Sequence, residues 1–346
     1  MDFSSFRYLP FYLRKKTNAK LVIIESDDWG LQRATSDVSL EWAAKKYGRE
    51  NFTRWTTDAL ETTEDLGLLF ELLRSYKNDF VYAPIITANY ITHNFDYDTK
   101  DKLQMKPIDI SIKKENPGLY QLVLDGMKDH VFYPQLHGYC HFNFALLHNY
   151  FNTEEGREEY ANNYFLAKST IKSHLSYLEG ECVNANPNFI EQLEAAQEVF
   201  YRIFGFYSDS FIPPRYIIDR KLVRTMGDLH IKYLQAGNVL INSELKRYYV
   251  PFYMKFLGQT WLTRNCRLDP HRDYNFGAEQ CILKIENAFK NKQPAVIDTH
   301  RVNYSGRFAP MERYKSLEEL KKVLNYLKQK HPEILFITSD KVMDYI

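Results

Sequence analysis

Two adjacent carboxylates close the stretch from Leu21 to Gly30, Leu-Val-Ile-Ile-Glu-Ser-Asp-Asp-Trp-Gly. An apolar, β-branched run stops at Asp27 and Asp28, and Gly30 then lets the chain turn. Along a regular strand successive side chains face opposite sides, so the two can share a pocket only where the strand is ending. Carboxylates forced together need a cation, or one of them takes up a proton. A divalent-metal site with a general base beside it is the expected chemistry. His137-Gly138-Tyr139-Cys140-His141 sets two imidazoles four apart, on one side of the chain if the turn is helical. With Asp28 they make three ligands and leave positions for water, as in a catalytic zinc site. Two histidines on a helix surface would give the same spacing. Cys140 is expected to pack away from that face.

Ala295-Val-Ile-Asp-Thr-His300 reads as a strand on which Asp298 and His300 project to one side. There the carboxylate could orient the imidazole or raise its pKa, although a buried, hydrogen-bonded strand-end histidine explains the pattern as well. Arg215 follows two stiffening prolines and could pair with Asp27, or could form an ordinary surface ion pair. The polar run from Arg264 to His271 is assigned to the substrate cleft, with a loop of solvated charges as the alternative.

Elements must position these groups. Strands are expected at Phe80–Ala88, Val131–Leu136, Ser208–Ile212, Ile231–Gln235, Ala295–Thr299 and Ile334–Ile337, with a hairpin within Tyr248–Thr263. Helical spacing covers Ser36–Gly48, Leu66–Tyr76, Pro117–His130, Thr153–Leu178, Pro187–Phe204, Leu222–Leu229, Gly277–Asn291 and Ser316–Lys330. Asn89–Asn116 reads as a long loop. Such alternation predicts an α/β fold with a parallel sheet and its active site at the strands' C-terminal ends. A single domain over 1–346 is expected, with elaborated loops at about 89–116, 141–186 and 238–272.

With 45 Lys+Arg against 44 Asp+Glu, the chain has no electrostatic footprint for nucleic acid or a membrane surface. The four cysteines are scattered without C-x-x-C spacing, as free thiols in a reducing compartment would be. No signal peptide or run of the ~20 apolar residues a membrane helix needs is visible, so a cytoplasmic location is expected. The sequence leaves the oligomeric state open.

Taken in chain order, these motifs resemble the polysaccharide deacetylase (NodB-like carbohydrate esterase) family. Glu25-Ser26-Asp27-Asp28-Trp29-Gly30 is similar to its Thr-Phe-Asp-Asp-Gly motif, and His137 to His141 matches His-Ser/Thr-x-x-His. Pro214-Arg215-Tyr216 and Ile297 to His300 echo the two later motifs. Trp29 is an insertion, Gly138 replaces a hydroxyl residue and the Arg-Pro order is changed. The resemblance implies a distorted (β/α) barrel of about seven parallel strands, of the glycoside hydrolase/deacetylase type. It also implies Asp28, His137 and His141 as metal ligands, Asp27 as general base and His300 as general acid. Zn²⁺ is the expected metal, with Co²⁺, Ni²⁺ or Mn²⁺ as alternatives. The expected activity is removal of an N-acetyl or O-acetyl group from a sugar or polysaccharide, a C–N bond hydrolysis in the first case. Arg215 would assist catalysis. Trp29, Tyr216, Asp298 and Arg264 would contact substrate, Trp29 by stacking at the pocket mouth. Glycoside hydrolysis on a related barrel and a non-catalytic glycan-binding barrel are the alternatives.

Overall fold

The computed structural model describes residues 16–171, 178–250, 255–256, 259–271 and 276–346. Its frame is a curled sheet built from β1 (Leu21–Trp29), β2 (Ile86–Ile91), β3 (Phe132–Gly138), β4 (Ser210–Phe211), β5 (Tyr233–Ala236), β6 (Gln259–Thr263), β7 (Cys266–Arg267), β8 (Ala295–His300) and β9 (Leu335–Phe336). The parallel neighbours run in the order β6-β5-β4-β3-β2-β1-β8-β7, the short strand Lys255–Phe256 pairs antiparallel outside β6, and β9 pairs with the start of β1. This is the expected (β/α) barrel class. Because β6 and β7 lie at opposite edges of that order, the two residues joining them, Arg264 and Asn265, bridge the seam. Arg264 N–H donates to Ala236 of β5, and Asn265 N–H to Val296 of β8.

The strands are buried on both faces, and their alternation sorts residues by layer. Val22 and Ile24 face outward into the main core, beneath helices such as Thr63–Arg74, Pro117–Lys128, Phe189–Phe204 and Ala278–Lys290. Leu21 and Ile23 face inward, where Leu262, Val296 and Ile337 join them in an apolar plug at the barrel floor. Above that plug the inward positions turn polar: Glu25 and Asp27 on β1, Asn89 on β2, Gln235 on β5 and Asp298 on β8, all buried and linked by hydrogen bonds directly or through Arg264. Apolar outward residues and polar inward residues on one strand are what a barrel with a functional interior requires.

Several element boundaries differ from expectation. The strand expected at Phe80–Ala88 begins only at Ile86 and runs to Ile91. The segment expected to be a long loop contains a hairpin (His93–Phe95 with Met105–Pro107) and a wide helical turn at Asp109–Lys114. The expected helix from Thr153 to Leu178 stops at Ala161, because Asn163 and Leu166 take positive φ and the carboxylate of Glu159 captures the N–H groups of Leu166 and Lys168. Residues 172–177 of that expectation lie outside the described residues. The last long helix starts earlier than expected, at Pro310, where a proline at the first position costs no hydrogen bond. Among the described residues, no helix is long and apolar enough to cross a membrane.

Candidate active site

Asp27 and Asp28 reach one cavity because β1 breaks its own geometry. The pairing register with β2 shifts between Ser26 and Trp29, and Asp28 adopts φ 69°. Asp27 follows the inward alternation; the left-handed turn at Asp28 brings the next side chain inward too. Gly30, at φ 76°, completes the turn where an added Cβ would sit 2.6 Å from the Ile91 carbonyl oxygen.

On one side of the cavity a single guanidinium organises the acids. Arg264 Nη1 and Nη2 donate to Asp27 at 2.7 and 2.6 Å, Nη1 donates to Asp298 Oδ1 at 2.7 Å, and Nε donates to Glu25 at 2.6 Å. Asn89 adds a third hydrogen bond to Asp27, at 2.8 Å. Burial works to raise the Asp27 carboxyl, but Arg264 overrides it and holds the group below the usual carboxylate range. Asp298 keeps Oδ2 open apart from the Arg267 Nε at 3.9 Å. Next to it His300 sets Nδ1 3.3 Å from Asp269 Oδ2. Burial alone would lower the His300 pKa; Asp269 more than offsets it, and the net direction is upward. Asp269 is fixed in turn by two bonds from Arg54, at 2.5 and 2.9 Å, and one from Asn303 at 2.7 Å. The ligating atoms of Asp27, Asp298 and His300 lie within 4.8 Å of one another.

The other side is built from imidazoles. His137 Nε2 is 3.3 Å and His141 Nε2 3.6 Å from Asp28 Oδ1. His137 Nδ1 donates to the Ile212 carbonyl at 2.9 Å, so its neutral form turns a lone pair toward Asp28. Burial penalises its charge, yet Asp28 more than offsets this and raises the His137 pKa; His141, where burial prevails, is lowered to about 4. Asp28 Oδ1 and His141 Nδ1 are buried without a hydrogen-bond partner. The two histidines are not on a helical turn as expected. His137 lies in β3, and His141 follows a loop whose N–H groups at Tyr139, Cys140 and His141 all donate to the Glu181 carboxylate, at 2.8, 3.0 and 3.2 Å. Gly138, at φ 124°, admits this carboxylate, since a Cβ there would come within 1.8 Å of it. Cys140 packs away from the site, as expected.

A cavity of about 490 Å³ opens over both sides, lined additionally by Arg33, Trp55, Glu179, Arg215, Tyr216 and Arg267. Four expectations for its residues need correction. Arg215 does not pair with Asp27 but with Glu179 at the rim, because its positive-φ backbone directs it outward; Arg264 holds Asp27 instead. Arg264 is therefore not an exposed cleft residue: it is 4% exposed beneath the cavity. Trp29 is 1% exposed, edge-on to Phe132 at 5.0 Å with Nε1 bonded to Ser26, so it stacks on the core and not on a sugar. Asp298 answers chiefly to Arg264, while Asp269 is the carboxylate beside His300. Tyr216 does line the cavity, its hydroxyl 3.2 Å from Arg264 Nη1. Asp269 lies inside the polar run that sequence assigned to the cleft, whereas Glu179, Glu181, Trp55 and Asn89 carry no local signal that would single them out.

Among solved structures the chain resembles the 4-alpha-glucanotransferase from Thermococcus litoralis, at TM-score 0.54 and 10% identity, over 96% of this chain and 41% of that one. It spans under half the length of that enzyme. The Xyl-CE4 domain of a multidomain xylanase from the hindgut metagenome of Trinervitermes trinervoides aligns at TM-score 0.42 and 11% identity, over 94% and 91% of the two chains. Peptidoglycan deacetylase PdaC from Bacillus subtilis aligns at TM-score 0.41 and 10% identity, over 95% and 92%. No curated protein matches the sequence.

The sequence profile of glycosyl hydrolase family 57 matches residues 143–343. This overturns the resemblance to the deacetylases and, with it, the expected C–N bond hydrolysis. The short motifs misled because each is loose, and strand-end carboxylates and histidines occupy the same end of any parallel barrel. The matched residues take in Arg264, Asp269, Asp298 and His300 but neither β1 nor His137 and His141. Matched over more than half its length, the chain belongs to glycosyl hydrolase family 57.

Proposed function

We propose that the cavity cleaves O-glycosidic bonds of a glycan, with water or a second sugar hydroxyl as acceptor. The supporting observation is the approach of Asp27, Asp298 and His300 to within 4.8 Å of one another at the cavity floor. Two successive displacements at the anomeric carbon, first by a carboxylate and then by the acceptor hydroxyl, retain its configuration. Asp298 is the nucleophile: one of its oxygens is free of hydrogen bonds, whereas both oxygens of Asp27 are engaged. It forms a bond to the anomeric carbon as His300 gives its proton to the departing oxygen. Neutral His300 then takes a proton from the acceptor hydroxyl, which displaces Asp298 and restores both groups. Asp27, kept ionised by Arg264, stabilises positive charge developing on the sugar ring. Tyr216 and the rim residue Arg215 contact the bound glycan.

Asp28, His137 and His141 have a donor set suited to a divalent cation, Zn²⁺ first and Co²⁺, Ni²⁺ or Mn²⁺ after it. The buried Asp28 Oδ1, without a hydrogen-bond partner and 3.3 and 3.6 Å from Nε2 of His137 and His141, supports this reading. Bound there, the cation would act as a Lewis acid toward a sugar oxygen. Metal analysis of the purified protein, repeated on Asp28→Ala, tests the assignment; equal metal content in both rejects it.

The test of the activity is incubation with α-1,4-linked glucose oligosaccharides, the linkage the fold neighbour's name suggests, followed by NMR of the anomeric signals. Cleavage or transfer with retained configuration, lost in Asp298→Asn, is expected. Binding without cleavage under any condition would make the cavity a glycan-binding site only.

A further inference from the structure

Five arginines are buried among the described residues: Arg33, Arg54, Arg264, Arg301 and Arg313. Four of them spend their donors on carboxylates. Arg54 forks onto Asp269 and Arg264 gathers Glu25, Asp27 and Asp298; Arg301 bonds Asp58 and Glu61, and Arg313 bonds Glu64 and Asp65. Arg33 is different. It is 8% exposed and lines the cavity. Its nearest acids stand off at 3.5 Å (Nη2 to Glu179) and 3.8 Å (Nε to Asp58), and Nε has no hydrogen-bond partner. Its side chain makes no hydrogen bond to any described residue. The guanidinium is held over the rings of Phe142, at 5.5 Å, and Trp55, at 5.8 Å. Those rings position it without satisfying it.

A desolvated guanidinium with unused donors is costly unless an anion or water completes it. Arg215 converges on the same carboxylate, Glu179, from the rim, and Arg267 lines the cavity with its Nε also lacking a hydrogen bond. Apart from the histidines, the basic side chains lining the cavity are three arginines and no lysine. The planar fork matches carboxylate, sulfate and phosphate oxygens two at a time, which an ammonium cannot do.

We infer that the glycan taken by this cavity carries an anionic substituent, bound by the unspent donors of Arg33 with Arg215 and Arg267 at the rim. The inference rests on the cavity being the glycan site. It narrows the substrate from sugars in general to acidic ones: uronic acids, or sulfated or phosphorylated sugars.

Isothermal titration of the full chain with glucuronic-acid oligosaccharides and with neutral glucose oligosaccharides of equal length, at fixed ionic strength, measures the preference. Glucose 6-sulfate, glucose 6-phosphate and inorganic phosphate separate the sources of the anion. The acidic oligosaccharide should bind about tenfold more tightly or better than the neutral one, and Arg33→Gln should bring that ratio near one. If Arg33→Gln does not fold, Arg215→Gln at the exposed rim should lower the same ratio. Equal affinities in the wild type, or a ratio unchanged in the variants, overturn the inference. So does inorganic phosphate binding as tightly as the charged sugars, which would mark an ion site without sugar recognition. Cleavage of neutral oligosaccharides with no preference for charge sinks this inference alone. Failure to bind any sugar sinks the reading of the cavity with it.

Discussion

The two walls of the cavity use neighbouring aspartates in opposite ways. Asp27 accepts three hydrogen bonds from Arg264 and Asn89, and its charge is matched inside the protein. Asp28 faces two imidazoles, and its Oδ1 has no hydrogen-bond partner. A guanidinium matches the charge of one aspartate, and the other has imidazoles beside it. The family match covers Arg264 and the Asp298–His300 strand, while Asp27 and Asp28 both lie outside it, as do His137 and His141. The proposed function gives bond cleavage to the first wall and cation binding to the second.

Removing the guanidinium should do the most damage. Arg264→Met leaves Glu25, Asp27 and Asp298 buried around an apolar side chain. Stripping one partner from a buried ion cluster costs about 3–5 kcal/mol. Urea denaturation at neutral pH should show a loss of that size, shrinking in acid as the carboxyls take up protons. A loss below about 1 kcal/mol would mean that Arg264 is an incidental neighbour. Asp298→Asn comes next: turnover should fall on the order of 10³-fold with the fold intact, and a smaller drop would pass the nucleophile role to Asp27.

On the imidazole wall the effect is smaller and of another kind. Glu181→Gln replaces an oxygen pair that accepts three N–H groups with a group that itself donates, so the His141 loop loosens. Cation affinity, read by titration with Zn²⁺, should weaken by about 10–100-fold. An unchanged affinity would show that His141 needs no support from that carboxylate.

The contrast also explains what sequence could reveal. Asp27 and Asp28 announce themselves because an apolar strand ends in two charges, and the reason they can share a pocket, a distorted strand end, was readable from alternation alone. Asp298 and His300 are visible as a polar step on an apolar strand. Arg264 was visible as part of a polar run, but its role was not. Its role comes from the barrel seam, where a two-residue link between edge strands carries its side chain into the interior. Arg215 looked better placed for Asp27 and turned to the rim. Glu181 and Arg33 become meaningful only through partners far along the chain, which no local pattern encodes. Trp29 shows the reverse error: a residue that interrupted a motif was assigned to substrate, while its burial against Phe132 puts it in the core.

The smallest effect tests how the first wall sets its proton donor. Burial pushes the His300 pKa down and Asp269 pushes it back up, with a net rise above the ordinary histidine value. His300 is therefore protonated below its folded pKa, and turnover that needs its proton should fall as pH rises through that value. The linked stability has the same sign: it is fully present below the unfolded pKa of ~6.5 and is lost as pH rises through the folded one. Asp269→Asn keeps the shape but removes the charge, so burial prevails and the alkaline limb should move to lower pH. Asp269 also anchors Arg54, which lies 4.0 Å over the Trp55 ring. A merely structural loss would lower the rate equally at every pH and leave the limb in place. A displaced limb identifies Asp269 as the group that keeps the acid charged, and a fixed limb assigns the proton to another residue.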